Sequence, residues 1–313
     1  MNKRERVEAV LTTGKMPDRP PVSFWYHFGT QHIGGEKYAE LAVATFRYYD
    51  LDWLKAMNDF YYPMPEGLWE VKSKQDLEKI KPVELRKTDW VEQFKALELI
   101  RKDIGDEAYF IDTLFDPWQT LQRSLVGEHL TRLAKEEPEA LERALDAVTE
   151  TLIQYCKESL ARGSAGILIS TLGSADRMER DLFLRFAKPY VVRIFEEIKR
   201  EGMLNTAHIH DTSIYTDDIL DIPVPVLSYE DRHPTNPTLS EMNQRFSGCF
   251  MGGLDKNRFV RVTPAELKRN AEEGIRRAQD GRVLLAPGCS IPNWFSPRSV
   301  KGLVEHVQSR SSS

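Results

Sequence analysis

Cys249-Phe250-Met251-Gly252-Gly253-Leu254-Asp255, then Thr263-Pro264-Ala265-Glu266 opening a helical pattern, then Val283-Leu284-Leu285-Ala286-Pro287-Gly288-Cys289: this stretch decides the fold. Its two apolar runs are hydrophobic through their length, as strands covered by helices should be. Between them, Thr263 stands at the cap, Pro264 at the first helical position and Glu266 at the third, a strong helix start. The stretch is therefore one strand–helix–strand unit. Working outward, the same unit recurs. Apolar runs fall at 21–25, 51–57, 108–114, 165–171, 204–210, 224–230, 249–255 and 283–289. Helical periods lie between most of them, for example over 36–49, 91–103, 138–160 and 181–201. Gly105, Gly163, Gly202 and Gly281 follow helices where a left-handed stop is expected. Eight strands alternating with helices predict an α/β fold of the (β/α)8 TIM-barrel type, a single domain over 1–313. An N-terminal helix within residues 1–15 closes the bottom, and 309–313 reads as a disordered tail. An open doubly wound sheet is the competitor, but no GxGxxG follows the first run and no P-loop occurs.

The 313 residues carry 43 Lys and Arg against 48 Asp and Glu, a net charge of −5, with 41% hydrophobic and 29% charged residues. That balance fits a globular protein and argues against nucleic acid as partner. No apolar stretch reaches the roughly 18 residues of a membrane helix, and the N-terminus has no apolar signal core. Three cysteines, Cys156, Cys249 and Cys289, are too few for a disulfide framework and fit a reducing cytoplasm. A cytoplasmic enzyme is expected.

In such a barrel the active site lies at the C-terminal strand ends. Those ends read His27; Asn58 and Asp59; Asp112 and Asp116; Ser170 and Thr171; His208, His210 and Asp211; Glu230, Asp231 and His233; Asp255; and Cys289. The sharpest feature is Ala207-His208-Ile209-His210-Asp211. Residues two apart on a strand face one side, so both imidazoles can reach one point, with Cys289 converging from the last run. Two His and one Cys suit a catalytic zinc with an open fourth position. The alternative leaves His208 against a carbonyl, His210 as a catalytic or solvated residue and Cys289 as a small buried hydrophobe. Aromatic residues crowd the same rim, among them Trp25, Tyr26, Tyr61, Phe115, Trp118 and Trp294. They suit the wall of an apolar cavity, or a cage for a quaternary amine beside carboxylates, or loops packed onto the rim. Asp59 and Asp211 are the candidate catalytic carboxylates, and Glu230 a candidate lining residue. Cys156 and Cys249 read as packing.

The opening Arg4-Glu5-Arg6-Val7, the stretch Asp18-Arg19-Pro20-Pro21-Val22, the Asp59 segment and Pro287-Gly288-Cys289-Ser290-Ile291-Pro292 with Val300-Lys301-Gly302-Leu303-Val304 resemble the uroporphyrinogen decarboxylase superfamily. That resemblance spans essentially the whole chain and implies a (β/α)8 fold. It also brings in the corrinoid-dependent methyltransferases of the superfamily. True decarboxylases carry an arginine-rich loop after the first strand; here it reads Phe24-Trp25-Tyr26-His27-Phe28-Gly29, without arginine. An eight-carboxylate substrate in an acidic, aromatic mouth would be left uncompensated. The methyltransferase branch has His-x-Cys after strand five and Gly-Cys after strand eight, binding zinc. His208 and Cys289 match, and His210 stands where the middle Cys would be. Two imidazoles and one thiolate leave zinc formally +1, a stronger Lewis acid that favours an oxygen ligand over a thiol.

The resemblance thus implies a zinc-dependent methyltransferase that moves a methyl group between a corrinoid (a methylcobamide co-substrate) and a small-molecule O or S atom. Zn2+ is held by His208, His210 and Cys289. The corrinoid is carried by a separate protein docking over the mouth, and Trp25, Tyr26, His27, Tyr61, Phe115, Trp118, Glu230 and Trp294 contact the substrate. Homodimers are common in the superfamily. The alternatives are a metal-independent decarboxylase or lyase using His210 as acid, and a non-catalytic tetrapyrrole-binding protein.

Overall fold

The computed structural model describes residues 1–12, 17–30, 32–124, 127–260, 263–278 and 281–310. Seven strands, β1 (Trp53–Lys55), β2 (Tyr109–Phe115), β3 (Ile167–Thr171), β4 (Thr206–Ile209), β5 (Val226–Ser228), β6 (Cys249–Leu254) and β7 (Val283–Pro287), form one all-parallel sheet in chain order. Each falls on an expected apolar run, β2 ending one residue beyond it. Side chains alternate between two buried layers, so the runs show no polar face: Ile167 and Ile169 face the helices, while Leu168 joins an inner cluster. That inner cluster takes Trp53, Ile111, Leu168, Val226, Met251 and Leu284 from six of the seven strands, all but β4.

The eighth expected strand, 21–25, is a correction. A full eight-strand barrel does not form among the described residues; Val22 makes only an isolated parallel bridge to Leu285. Pro20 and Pro21 explain it, because neither has an N–H for a ladder. The segment still ties the two sheet edges together. Leu285 N–H donates to Pro21 O, Ser23 N–H to Leu285 O, and Asp52 N–H to Val22 O. The architecture is a seven-stranded, barrel-like α/β sheet.

A buried charge cluster fixes this seam. Asp52, fully buried, accepts from Arg6 at 2.8 Å, from Arg19 at 2.6 Å and from the Val22 N–H at 2.8 Å. The helix Lys3–Leu11 brings Arg6 there and packs Val7 and Val10 against the inner cluster, as the expected bottom helix does. The expected extension of that helix past 12 lies outside the described residues. So do residues 311–313 of the expected tail, whereas Arg310 forms an ion pair with Glu272.

The expected caps form: Thr263 and Glu266 make a full capping box on the helix Pro264–Arg277. The helix expected over 181–201 is two, Arg180–Phe186 and Lys188–Ile198, because Pro189 has no N–H to carry the ladder across. Gly163 and Gly281 take left-handed conformations at φ 102° and 76°, but Gly105 stays right-handed at φ −61°. No described helix is long and apolar enough to cross a membrane.

Candidate active site and metal centre

The C-terminal ends of β4 and β7 bring His208, His210 and Cys289 together. Each offers a donor atom, and the three donors lie within 4.8 Å of one another. Cys289 Sγ is 3.7 Å from His210 Nδ1, close to the roughly 3.5 Å edge of a tetrahedron built on zinc bond lengths. His208 Nδ1 sits 3.1 Å from Ser228 Oγ at the end of β5, which leaves Nε2 free for a metal. Burial opposes ionisation of the Cys289 thiol, but hydrogen bonds from His208 and His210 outweigh it and hold its pKa well below the ordinary value. A thiolate with two imidazoles at this spacing fits a zinc ion. Gly288 is needed for the approach: a Cβ there would lie 2.6 Å from Glu230 Cα.

The three donors line a cavity of about 130 Å3. Trp25, His27 and Phe115 also line it, as expected from the sequence. Asp59 does not reach the cavity; its Oδ1 lies 2.6 Å from His27 Nδ1, so it braces a lining imidazole. Burial works against its charge, yet the hydrogen bond and charge of His27 keep its pKa below the ordinary carboxylate value.

The other expected residues sit elsewhere. Asp211 takes φ 76° and pairs with Arg177 at 2.6 Å, and it is not on the cavity wall. Glu230 is buried in an ion pair with Lys256. Tyr26 packs edge-on against Phe28 and Phe295, at 4.6 and 5.2 Å. Trp118 is in the core beside Phe186. Trp294 is 72% exposed and Tyr61 55% exposed, Tyr61 lining a separate small pocket with Phe60. Asp112 and Asp116 are buried and hydrogen-bonded by Tyr155, Ser159 and Gln93, and by Gln119. Cys156 and Cys249 are packed in, as expected.

The sequence reading missed Lys55, Thr113, Gln119 and Arg123, all on the cavity wall. Lys55 is 4% exposed and ends β1. Its Nζ donates to Thr113 Oγ1 at 2.8 Å and to Met57 Sδ at 2.9 Å. Burial lowers its pKa to about 7, against the attraction of Cys289, Asp59 and Asp112. The signal was present: one lysine inside an apolar run. The wall carries no Asp or Glu among its described residues, so the acidic mouth expected from the sequence is corrected. The strand-end carboxylates are turned aside into ion pairs and caps.

A parallel α/β sheet with a thiolate–imidazole cluster at its C-terminal ends defines an enzyme-like site of the barrel class. The uroporphyrinogen decarboxylase (URO-D) family profile matches residues 2–310, and the chain belongs to that family. A uroporphyrinogen decarboxylase of Anaeromyxobacter sp. (strain Fw109-5) is 26% identical over 247 residues, covering 76% of this chain and 68% of that one. Among solved structures, a methyltransferase from Methanosarcina mazei superposes with a TM-score of 0.78 at 18% identity, covering 99% of each chain. A B12-independent methionine synthase from Shewanella sp. W3-18-1 gives 0.61 at 13% identity, covering 94% and 92%. The chain is an enzyme of the URO-D superfamily, and these two likenesses bear on its fold.

Proposed function

We propose that this enzyme is a zinc-dependent methyltransferase, moving a methyl group between a corrinoid and an O or S atom of a small molecule. The observation that carries the reading is the cluster of His208, His210 and Cys289 on the wall of a small cavity. Zinc held there would lend Lewis acidity to the heteroatom that gains or loses methyl. Ser228 fixes the His208 ring, and the Asp59 carboxylate holds His27 facing the substrate, where its other nitrogen can carry a proton. Trp25 and Phe115 exclude water from the same space.

Size supports the reading over uroporphyrinogen. A cavity of about 150 Å3 accommodates one benzene ring, so this one, at about 130 Å3, takes a single ring or a short chain. A macrocycle of four rings does not fit inside it and would have to lie across the open mouth. The corrinoid would reach the mouth from outside, on a separate protein. Metal-independent decarboxylation with His210 as acid draws support from the decarboxylase relative; it requires activity that survives chelation and Cys289→Ser.

The test mixes the purified, zinc-loaded protein with methylcobalamin and a panel of thiols, phenols and small carboxylates bearing an O or S atom. The expected result is loss of the methylcobalamin spectrum with at least one acceptor, abolished in Cys289→Ala. An unchanged spectrum across the panel overturns the proposal.

A further inference from the structure

The cavity beside the metal ligands has a charge pattern of its own. Its wall holds two cationic side chains, Lys55 and Arg123, and no carboxylate. Lys55 is at the end of β1, nearly out of contact with water. Among the described residues it forms no ion pair; its two partners, Thr113 Oγ1 and Met57 Sδ, are neutral. An ammonium has three donors, so one is left for the cavity. The Lys55 amine also stands 5.1 Å from the centre of the Trp25 ring, a contact that favours the charged form. Arg123 lies at the mouth, its guanidinium 3.7 Å from the centre of the Phe115 ring, and it too makes no ion pair among the described residues. Most other basic groups on this chain are matched with acids, Asp52 by Arg6 and Arg19 being the buried example.

A buried cation without a counter-charge is costly. Cys289, Asp59 and Asp112 attract Lys55 only from a distance, none of them within ion-pair reach, and a zinc ion on Cys289 would add repulsion. Burial favours the neutral amine, and a negative group bound in the cavity is what would hold the proton on Lys55. A quaternary amine would meet two like charges, so the cage considered from the sequence is disfavoured here. A neutral ligand would offer neither side chain a close counter-charge.

We propose that Lys55 and Arg123 form an oxyanion subsite, so that the substrate is a small carboxylate whose other end presents the methyl-bearing O or S atom to His208, His210 and Cys289. The second half of that statement rests on the methyltransferase reading; the subsite itself does not. Lys55 supplies a direct, desolvated hydrogen bond to the carboxylate, and Arg123 steers it in from the mouth.

Calorimetric titration compares benzoate with benzamide, and methoxyacetate with methoxyacetamide, on the protein both zinc-loaded and after chelation. Each anion should bind about ten- to a hundredfold more tightly than its amide, the range for a charged hydrogen bond in a desolvated site. Lys55→Met should erase that preference, and Arg123→Gln, at an exposed position, should reduce it several-fold. Equal affinity of anion and amide overturns the subsite, as does failure of both to bind. So does a preference that survives Lys55→Met and vanishes on chelation, which would be direct ligation of the carboxylate by metal. If the preference holds but no carboxylate demethylates or methylates against the corrinoid, the subsite stands and the methyltransferase reading fails.

Discussion

Asp52 and Lys55 stand three residues apart on one short segment, both buried, at opposite ends of β1. Asp52, at the bottom, is enclosed by Arg6, Arg19 and the Val22 N–H. Lys55, at the top, has only neutral partners. The lesson is about what a buried charge is for. Where the fold supplies the partner, the charge holds the seam of the sheet together; where it does not, the partner has to come from outside. This is the division of a barrel into a structural bottom and a functional top, written in two neighbouring side chains.

The strongest way to break this comparison is at the bottom. Asp52→Ala strands the buried Arg19 guanidinium, leaves Arg6 with Asp18 alone as counter-charge, and should cost about 3–5 kcal/mol of stability. Chemical denaturation should show it, with anion affinity of the folded fraction unchanged; a loss of under about 1 kcal/mol would mean the seam is held by packing alone. At the top the sign reverses. Lys55→Met removes an uncompensated charge and should leave the melting temperature equal or higher while carboxylate binding falls. A marked drop in melting temperature would move Lys55 to the structural side.

The half of the cavity lined by His208, His210 and Cys289 comes next. Ser228→Ala frees the His208 ring and should weaken zinc affinity by about ten- to a hundredfold, the usual penalty for losing a ligand-orienting partner. A chelator competition titration reads it, and unchanged affinity would show that packing alone orients His208. The smallest effect belongs to Asp231, a buried carboxyl off the cavity wall whose pKa burial raises to about 6, against the Gly253 N–H and two arginines. Its folded pKa lies above the unfolded one, so the stability it lends is full below about pH 4 and lost as pH rises through 6. Asp231→Asn should therefore raise the melting temperature by a few degrees at pH 8 and hardly at pH 4. Equal shifts at both would contradict the burial argument.

The same contrast governs what the sequence discloses. His208, His210 and Cys289 are scarce residue types at strand ends, and the two-residue period of a strand is enough to put both imidazoles on one side. Seven of eight strands are legible for a related reason: burial on both faces leaves continuous apolar runs. The eighth fails because Pro20 and Pro21 remove donors, a point that an apolar run alone conceals. The anion half is hidden in another way. Lys55 reads as an interruption of an apolar strand, and Arg123 as one more surface arginine on a helix. Their meaning depends on which carboxylates fail to reach them. Asp211 and Glu230 also follow strand ends but are taken up by Arg177 and Lys256, and pairings of that kind are set by loops rather than by periodicity.

The methyl chemistry proposed for the top of the sheet turns on whether His208, His210 and Cys289 hold a metal. Elemental mass spectrometry of the purified protein, beside Cys289→Ala, tests it most directly. About one zinc per chain, lost in the variant, is the expected result. No stoichiometric metal, even after zinc is offered, would contradict it and leave the two imidazoles and the thiolate as acid–base groups of a metal-free enzyme.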